Sequence, residues 1–201
     1  MPRALRILPG GCVAHARNRG NDKRCLFDNA REFEQFLELV TWAKRQTAIR
    51  IIAYCLMTNH WDFVLWPAAN GAVEQFMHLL ETKHAVRRRI CTGTVGHGHI
   101  YQDRYKASIV DSEAYYWNLL SYVEGNALRA GLVTGAEQWR WSSLCERLGH
   151  QRGILDRGPF AMPANWVDIV NKSLPEATLT EIRSRLWRQR RIRDVGSTVR
   201  F

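Results

Sequence analysis

Hydrophobic and polar positions change period several times along this chain, and each change marks an element. Cys12 to Arg17 alternates as a strand does, and the stretch after it, Asn18-Arg19-Gly20-Asn21-Asp22, has loop composition. Asp28 is placed to cap a helix running to about Gln46, on which Phe33, Phe36, Leu37, Val40 and Trp42 keep mostly helical spacing. Arg50 to Met57, rich in Ile, Ala and Tyr, reads as a central strand. Thr58-Asn59 turns it into a second strand from His60 to Trp66, so the two form a hairpin. Pro67 to Gly71 is a loop, after which Val73, Phe76, Met77, Leu79 and Leu80 mark a second amphipathic helix ending in Arg87-Arg88-Arg89. Cys91 to His99, with its glycines, is a connector. Tyr105 to Val110 is a further strand, and Asp111-Ser112 caps a helix through Asn126, with Gly125 signalling its end.

A hairpin with flanking strands and intervening helices predicts an α+β fold, a ferredoxin-like, RRM-like antiparallel sheet with helices on one face. Residues 1–148 hold that pattern. From Gly149 the chain changes character. Gly and Pro punctuate it, and a helix carrying Arg183, Arg185 and Arg188 leads into Arg190-Arg191. Residues 149–201 therefore read as a C-terminal basic helical extension.

Composition narrows the partner. Lys and Arg number 29 against 19 acidic residues, a net charge of +10, which calls for a polyanion because each neutralised phosphate releases condensed counterions. No basic amphipathic helix with a clean apolar face stands out, so nucleic acid leads over a membrane surface. No run of about 18 apolar residues predicts a membrane span, and Met1-Pro2-Arg3-Ala4-Leu5-Arg6 lacks the apolar core of a signal peptide, which points to the cytoplasm. The 5 cysteines are scattered without C-x-x-C spacing, against a disulfide framework or a structural zinc site. The chain is then expected to bind nucleic acid, with the basic extension a candidate DNA-binding appendage.

Two pairs of residues could carry chemistry. His60 and Asp62 alternate on a strand and share a face, the spacing from which an imidazole and a carboxylate can hold one divalent cation; the same pair also suits a surface contact. Tyr122 and Asn126 are one helical turn apart and share a helix face, although a tyrosine there also suits the core.

The strings around these residues resemble a known family. Ala53-Tyr54-Cys55-Leu56-Met57-Thr58-Asn59-His60-Trp61-Asp62-Phe63-Val64-Leu65 resembles the segment carrying the His-hydrophobic-His motif of the HUH-type single-tyrosine transposases. His15 to Asn21 resembles their opening strand and Arg-Gly-Asn turn, and Ile100-Tyr101-Gln102-Asp103-Arg104-Tyr105-Lys106 their Gln-Gly-Arg-Tyr-Lys segment. Ser121 to Val133, with Tyr122, Asn126 and Arg129-Ala130-Gly131-Leu132-Val133, and the closing Trp141-Ser142-Ser143 resemble the remaining blocks. The subgroup most similar is the REP-associated tyrosine transposases.

The resemblance implies an RRM-like sheet and an enzyme that cuts and rejoins single-stranded or hairpin DNA through a 5′-phosphotyrosine. It makes Tyr122 the nucleophile and His60, Asp62 and Asn126 the ligands of Mg²⁺ or Mn²⁺. Arg17, Arg19, Arg104 and Lys106 lie in the matching blocks and are the expected DNA contacts, and the chain acts as a monomer or homodimer. Four positions depart from the pattern: Thr58 replaces a proline, Asp62 the second histidine, Asp103 a glycine and Ala127 a proline. A carboxylate suits a hard cation but is shorter than an imidazole, and Asp103 sets a negative charge beside the expected DNA path. Those departures motivate the alternative of a domesticated relative that binds structured DNA and cleaves weakly. An RNA-binding module ranks last, because no aromatic RNA-binding strand is evident.

Overall fold

The computed structural model describes residues 8–94, 98–150 and 152–187. The expectations for Met1 to Arg6, for Arg188, Arg190 and Arg191, and for the middle of the Cys91–His99 connector lie outside the described residues.

The strands are β1 (Ala14–Arg19), β2 (Ile49–Met57), β3 (His60–Pro67) and β4 (Lys106–Ile109). They form one sheet in the order β2-β3-β1-β4, and every neighbouring pair is antiparallel. Helix α1 (Ala30–Arg45) joins β1 to β2, and α2 (Ala72–Thr92) joins β3 to β4. This β-α-β-β-α-β order is the ferredoxin-like arrangement expected from the hairpin and its flanks. Five further helices follow: α3 (Glu113–Glu124), α4 (Asn126–Arg129), α5 (Ser143–Arg147), α6 (Trp166–Asn171) and α7 (Glu176–Trp187).

Helices cover both faces of the sheet, not one. Phe33, Phe36, Leu37 and Val40 of α1 and Val73, Phe76 and Leu80 of α2 pack with Ala14, Ala16, Phe63 and Leu65 on the first face. On the second, Tyr115, Leu119 and Val123 of α3, Trp166 of α6 and Ile182 of α7 pack with Val13, Cys55 and Val64. The physical reason is in the strands. β2 and β3 carry apolar residues on both sides, so leaving either face open would expose them to water. The register of β2 against β3 shifts between Ile51 and Ala53, which makes Ile52 an extra, bulged residue. Ile51 faces the first core, whereas Ile52 and Ala53 both face the second. After the bulge, Tyr54 and Leu56 face the first core, and Cys55 and Met57 the second.

Two boundaries differ from expectation. Asn29 caps α1 by accepting from the Glu32 amide at 3.2 Å, while Asp28, expected in that role, forms an ion pair with Arg88 at 2.6 Å. Ser112 caps α3 as expected, but α3 ends at Glu124, and Asn126 opens the short α4. Among the described residues no helix is long and apolar enough to cross a membrane.

Candidate active site

β1 and β3 are the two inner strands, and their register sets Arg17 opposite Asp62 and Arg19 opposite His60. Alternation turns Ala14, Ala16, Trp61 and Phe63 to the first core, so His15, Arg17, His60 and Asp62 face the second side, beneath α3 and α4. Tyr122 near the end of α3 and Asn126 at the start of α4 come down on that surface. Gly125 between them lets α3 approach its neighbours. A Cβ there would lie 2.9 Å from the Ser121 carbonyl oxygen and 3.4 Å from that of Val170 in α6.

Asp62 is fully buried and is satisfied from three directions. His15 Nε2 donates to Oδ1 at 2.8 Å, Arg17 Nη1 lies 3.7 Å from the same oxygen, and Asn126 Nδ2 donates to Oδ2 at 3.0 Å. Burial by itself would raise the Asp62 carboxyl, but Arg17 and the hydrogen bond from His15 outweigh it and hold the group well below the usual carboxylate range. His60 lies with Nδ1 2.7 Å from Asn59 Oδ1 and with Nε2 3.2 Å from Asn126 Nδ2 and 3.7 Å from Asp62 Oδ2. An Nδ1–H bond to the acceptor of Asn59 leaves a lone pair on Nε2, directed into the site. Burial, aided by Arg17 and Arg129 against Asp62, lowers the His60 pKa to about 4, so the imidazole is neutral at physiological pH.

The hydroxyl of Tyr122 accepts from Arg17 Nη1 at 3.2 Å. One guanidinium thus stands between the phenol and the Asp62 carboxylate. Arg129 covers the other side of the tyrosine: its Cζ lies 4.1 Å from the ring centroid, and its Nη2 donates to the Tyr122 carbonyl at 2.6 Å and to Asn126 Oδ1 at 3.2 Å. Burial, with a contribution from Arg183, pulls the Arg129 guanidinium below its ordinary value, although Tyr122 and Asp62 act the other way. Cations gathered this closely are relieved by a bound anion.

His60, Tyr122, Asn126, Arg17 and Arg129 open onto a cavity of about 540 Å³, with Asp62 buried behind them. All four residues expected to contact DNA, Arg17, Arg19, Arg104 and Lys106, line it together with Arg129 and Arg183 of α7. Arg17 is turned inward to the phenol, whereas Arg19 hydrogen-bonds Gln102 on the rim. Asp103 also lines the cavity, its Oδ1 accepting from the Arg104 amide at 2.9 Å. The basic run at Arg87 to Arg89 is engaged elsewhere: Arg87 with the Gln35 carbonyl, Arg88 with Asp28 and Glu32, and Arg89 with the Gly98 carbonyl.

His60, Asp62 and Asn126 are therefore brought together as expected, and Tyr122 is joined to them through Arg17. His60 Nε2 and Asp62 Oδ2 are less than twice a ~2.1 Å metal–ligand bond apart, so one cation could touch both. Turning the Asn126 amide over would present its oxygen to the same point, at the loss of its bonds to Asp62, His60 and Arg129. Imidazole, carboxylate and amide oxygen form a donor set suited to Mg²⁺ or Mn²⁺. Among the described residues no three His, Cys, Asp or Glu side chains are grouped to hold a metal ion, so such a site needs Asn126.

The sequence pattern assigns His15 and Arg129 no role in the site, and it offers Arg183 only as part of the basic C-terminal helix. His15 alternates with Arg17 on β1, and Arg129 follows Tyr122 by two helical turns, so both carried a positional signal. Arg183 carried a charge signal but none for its place, since only the packing of α7 against β4 and α3 brings it to the cavity. Glu124, also buried, is structural: it accepts from Arg147 Nε at 2.8 Å, from Trp166 Nε1 at 2.5 Å and from Ser143, tying α3 to α5 and α6.

A basic cleft over a tyrosine, on a ferredoxin-like sheet with an imidazole and a carboxylate on one strand, suits a polyanionic strand. The family model described as "Transposase IS200 like" matches residues 11–126, and the chain belongs to this transposase family. Among solved structures, it is similar to a REP-associated tyrosine transposase bound to a REP hairpin, at 16% identity and a TM-score of 0.59. That match covers 87% of this chain and 99% of the other, and it shows the shared fold. A transposase candidate from Deinococcus radiodurans R1 matches at 12% identity and a TM-score of 0.40, covering 62% of this chain and 94% of the other. No curated protein matches the sequence.

Proposed function

We propose that this transposase cuts and rejoins single-stranded or hairpin DNA, with Tyr122 as the nucleophile and His60, Asp62 and Asn126 as the seat of Mg²⁺ or Mn²⁺. One observation carries the reading: the Tyr122 hydroxyl and the Asp62 carboxylate are bridged by Arg17 at the floor of a cavity walled by cations. In the cleavage step the phenol oxygen forms a bond to phosphorus and the bond from phosphorus to the 3′ oxygen breaks. The phenol proton is released to water, and the departing 3′ oxygen takes one up, leaving a 5′-phosphotyrosine and a free 3′-hydroxyl. Rejoining reverses these bonds without an external energy source. Arg17 stabilises the developing phenolate, and Arg129 holds the ring from its other side. A bound divalent cation would polarise the scissile phosphate and offset its charge. Arg19, Arg104, Lys106 and Arg183, which line the cavity, would hold neighbouring phosphates. The hairpin carried by the structurally similar transposase supports hairpin DNA as the substrate here.

A second reading, structured-DNA binding with weak cleavage, draws on Asp62 and Asp103: Asp62 is fully buried with both oxygens already partnered, and Asp103 sets a carboxylate in the cavity wall. One assay separates the two. The protein is incubated with labelled hairpin oligonucleotides from its own genomic neighbourhood in Mg²⁺, Mn²⁺ or EDTA, and covalent adducts are resolved on a denaturing gel. Active transposase gives a metal-dependent adduct that Tyr122→Phe abolishes. Tight hairpin binding without an adduct in either metal establishes the second reading, and an undiminished adduct in Tyr122→Phe removes the nucleophile.

A further inference from the structure

The second ligand position of the motif is a carboxylate in this chain, and the neighbouring strand carries what makes a carboxylate serviceable there. A carboxylate can turn about its Cβ–Cγ bond and present either oxygen, so its use as a ligand depends on what fixes it. Oδ1 of Asp62 is fixed from β1, where His15 Nε2 donates to it at 2.8 Å. Oδ2 is left toward His60 Nε2 at 3.7 Å and Asn126 Nδ2 at 3.0 Å, the two other members of the proposed seat.

His15 is fully buried, with its ring edge-on to that of Tyr122 at a centroid separation of 6.3 Å, so it has no route to water. Its Nδ1 has no hydrogen-bond partner among the described residues, which places the ring proton on Nε2, where the carboxylate accepts it. An imidazole at position 62 would project its own nitrogen and need no such clamp. Arg17 also approaches Oδ1, but it touches Tyr122 as well, whereas no polar bond joins His15 to the phenol.

We propose that His15 is a positioning residue that clamps Oδ1 of Asp62 so that Oδ2 faces the cation, compensating for the histidine absent from position 62. The inference rests on the metal-dependent reading above, and it assigns His15 no contact with DNA.

The test is Mn²⁺ affinity of the full chain without DNA, read from the loss of the free-ion electron paramagnetic resonance signal, with near-ultraviolet circular dichroism to confirm folding. His15→Leu removes the donor and is expected to weaken Mn²⁺ binding ten- to hundredfold, roughly the effect of losing an outer-shell partner. His15→Gln carries an amide N–H to about the place of Nε2 and is expected to stay close to the unsubstituted protein. In an Asp62→His background, His15→Leu is expected to cause little further loss, because the carboxylate it orients is gone. Should His15→Leu fail to fold, His15→Asn, whose shorter amide stops short of Asp62, replaces it with the same expectation. Mn²⁺ binding by His15→Leu equal to that of the parent overturns the proposal while leaving the metal seat intact. Equal losses in His15→Leu and His15→Gln, or an undiminished loss in the Asp62→His background, overturn it in favour of simple packing. A parent protein that binds no Mn²⁺ and forms no adduct overturns both this proposal and the metal-dependent reading.

Discussion

Replacing Arg17 with methionine keeps most of the side chain's length and removes its charge from between Asp62 and Tyr122. Asp62 is fully buried, and the Arg17 side chain is 27% exposed, so the pair is shielded better than a surface bridge. Removing one partner of a buried pair typically costs about 3–5 kcal/mol. His15 and Asn126 still donate to Asp62, which puts the expected loss near the lower end, about 3 kcal/mol at pH 7. For a chain of this size that corresponds to a melting temperature lower by about 6–12 °C. The sign with pH follows from the depressed Asp62 carboxyl. In the parent, its contribution is fully present above the unfolded carboxyl value of about 3.9 and is lost as pH falls through the lower folded value. In Arg17→Met, burial meets less opposition and the carboxyl rises, so Asp62 takes up a proton at higher pH. The deficit relative to the parent should be full and constant above about pH 5 and shrink as pH falls through the unfolded carboxyl value of about 3.9 and below. Urea unfolding at pH 3, 4, 5 and 7 measures it, with Arg17→Lys expected to recover part of the loss. A deficit below about 1 kcal/mol, or one that does not change with pH, would refute the buried ion pair as the source.

Two further outcomes test the cleft and the helix geometry. Arg104→Ala should weaken binding of hairpin and unrelated single strands alike and lower the slope of log affinity against log salt by about 0.7, as measured by fluorescence anisotropy; an unchanged slope would place Arg104 away from the phosphates. Gly125→Ala forces a methyl against the Ser121 carbonyl and should cost about 1–3 kcal/mol while displacing Asn126 and Arg129. A shift of about 1 Å there predicts roughly 100-fold slower adduct formation with hairpin affinity retained, and parental rates in a fully stable variant would contradict it.

The site was legible where its chemistry lies in contiguous strings. His60 and Asp62 alternate on one strand, and Tyr122 and Asn126 stand one turn apart, so local periodicity was enough to pair them. The partnership of His15 with Asp62 depends on the β1–β3 register, which links residues far apart in sequence and has no local signature. The cap of α1 was placed one residue early because Asp28 and Asn29 are both capping types, and the choice is made by Arg88, which engages Asp28 from α2. The second layer of helices was missed for a related reason. A strand buried on both faces reads as one apolar run, and such a run does not say how many layers will cover it. Arg183 reaches the cavity only because α7 packs against β4 and α3, a contact between segments that share no pattern.

The bulge at Ile52 makes β2 one residue longer than the strand it pairs with, and that surplus lets the strand absorb a change of length. Ile51 faces the first core and Ala53 the second, as neighbours in a regular strand do, so removing Ile52 alone would join them without turning any other side chain over. Tyr54 would stay on the first core, and Cys55 would stay in register with Asp62. The strand beneath the site can thus lose one residue at this point, along with the buried side chain of Ile52, and keep its frame.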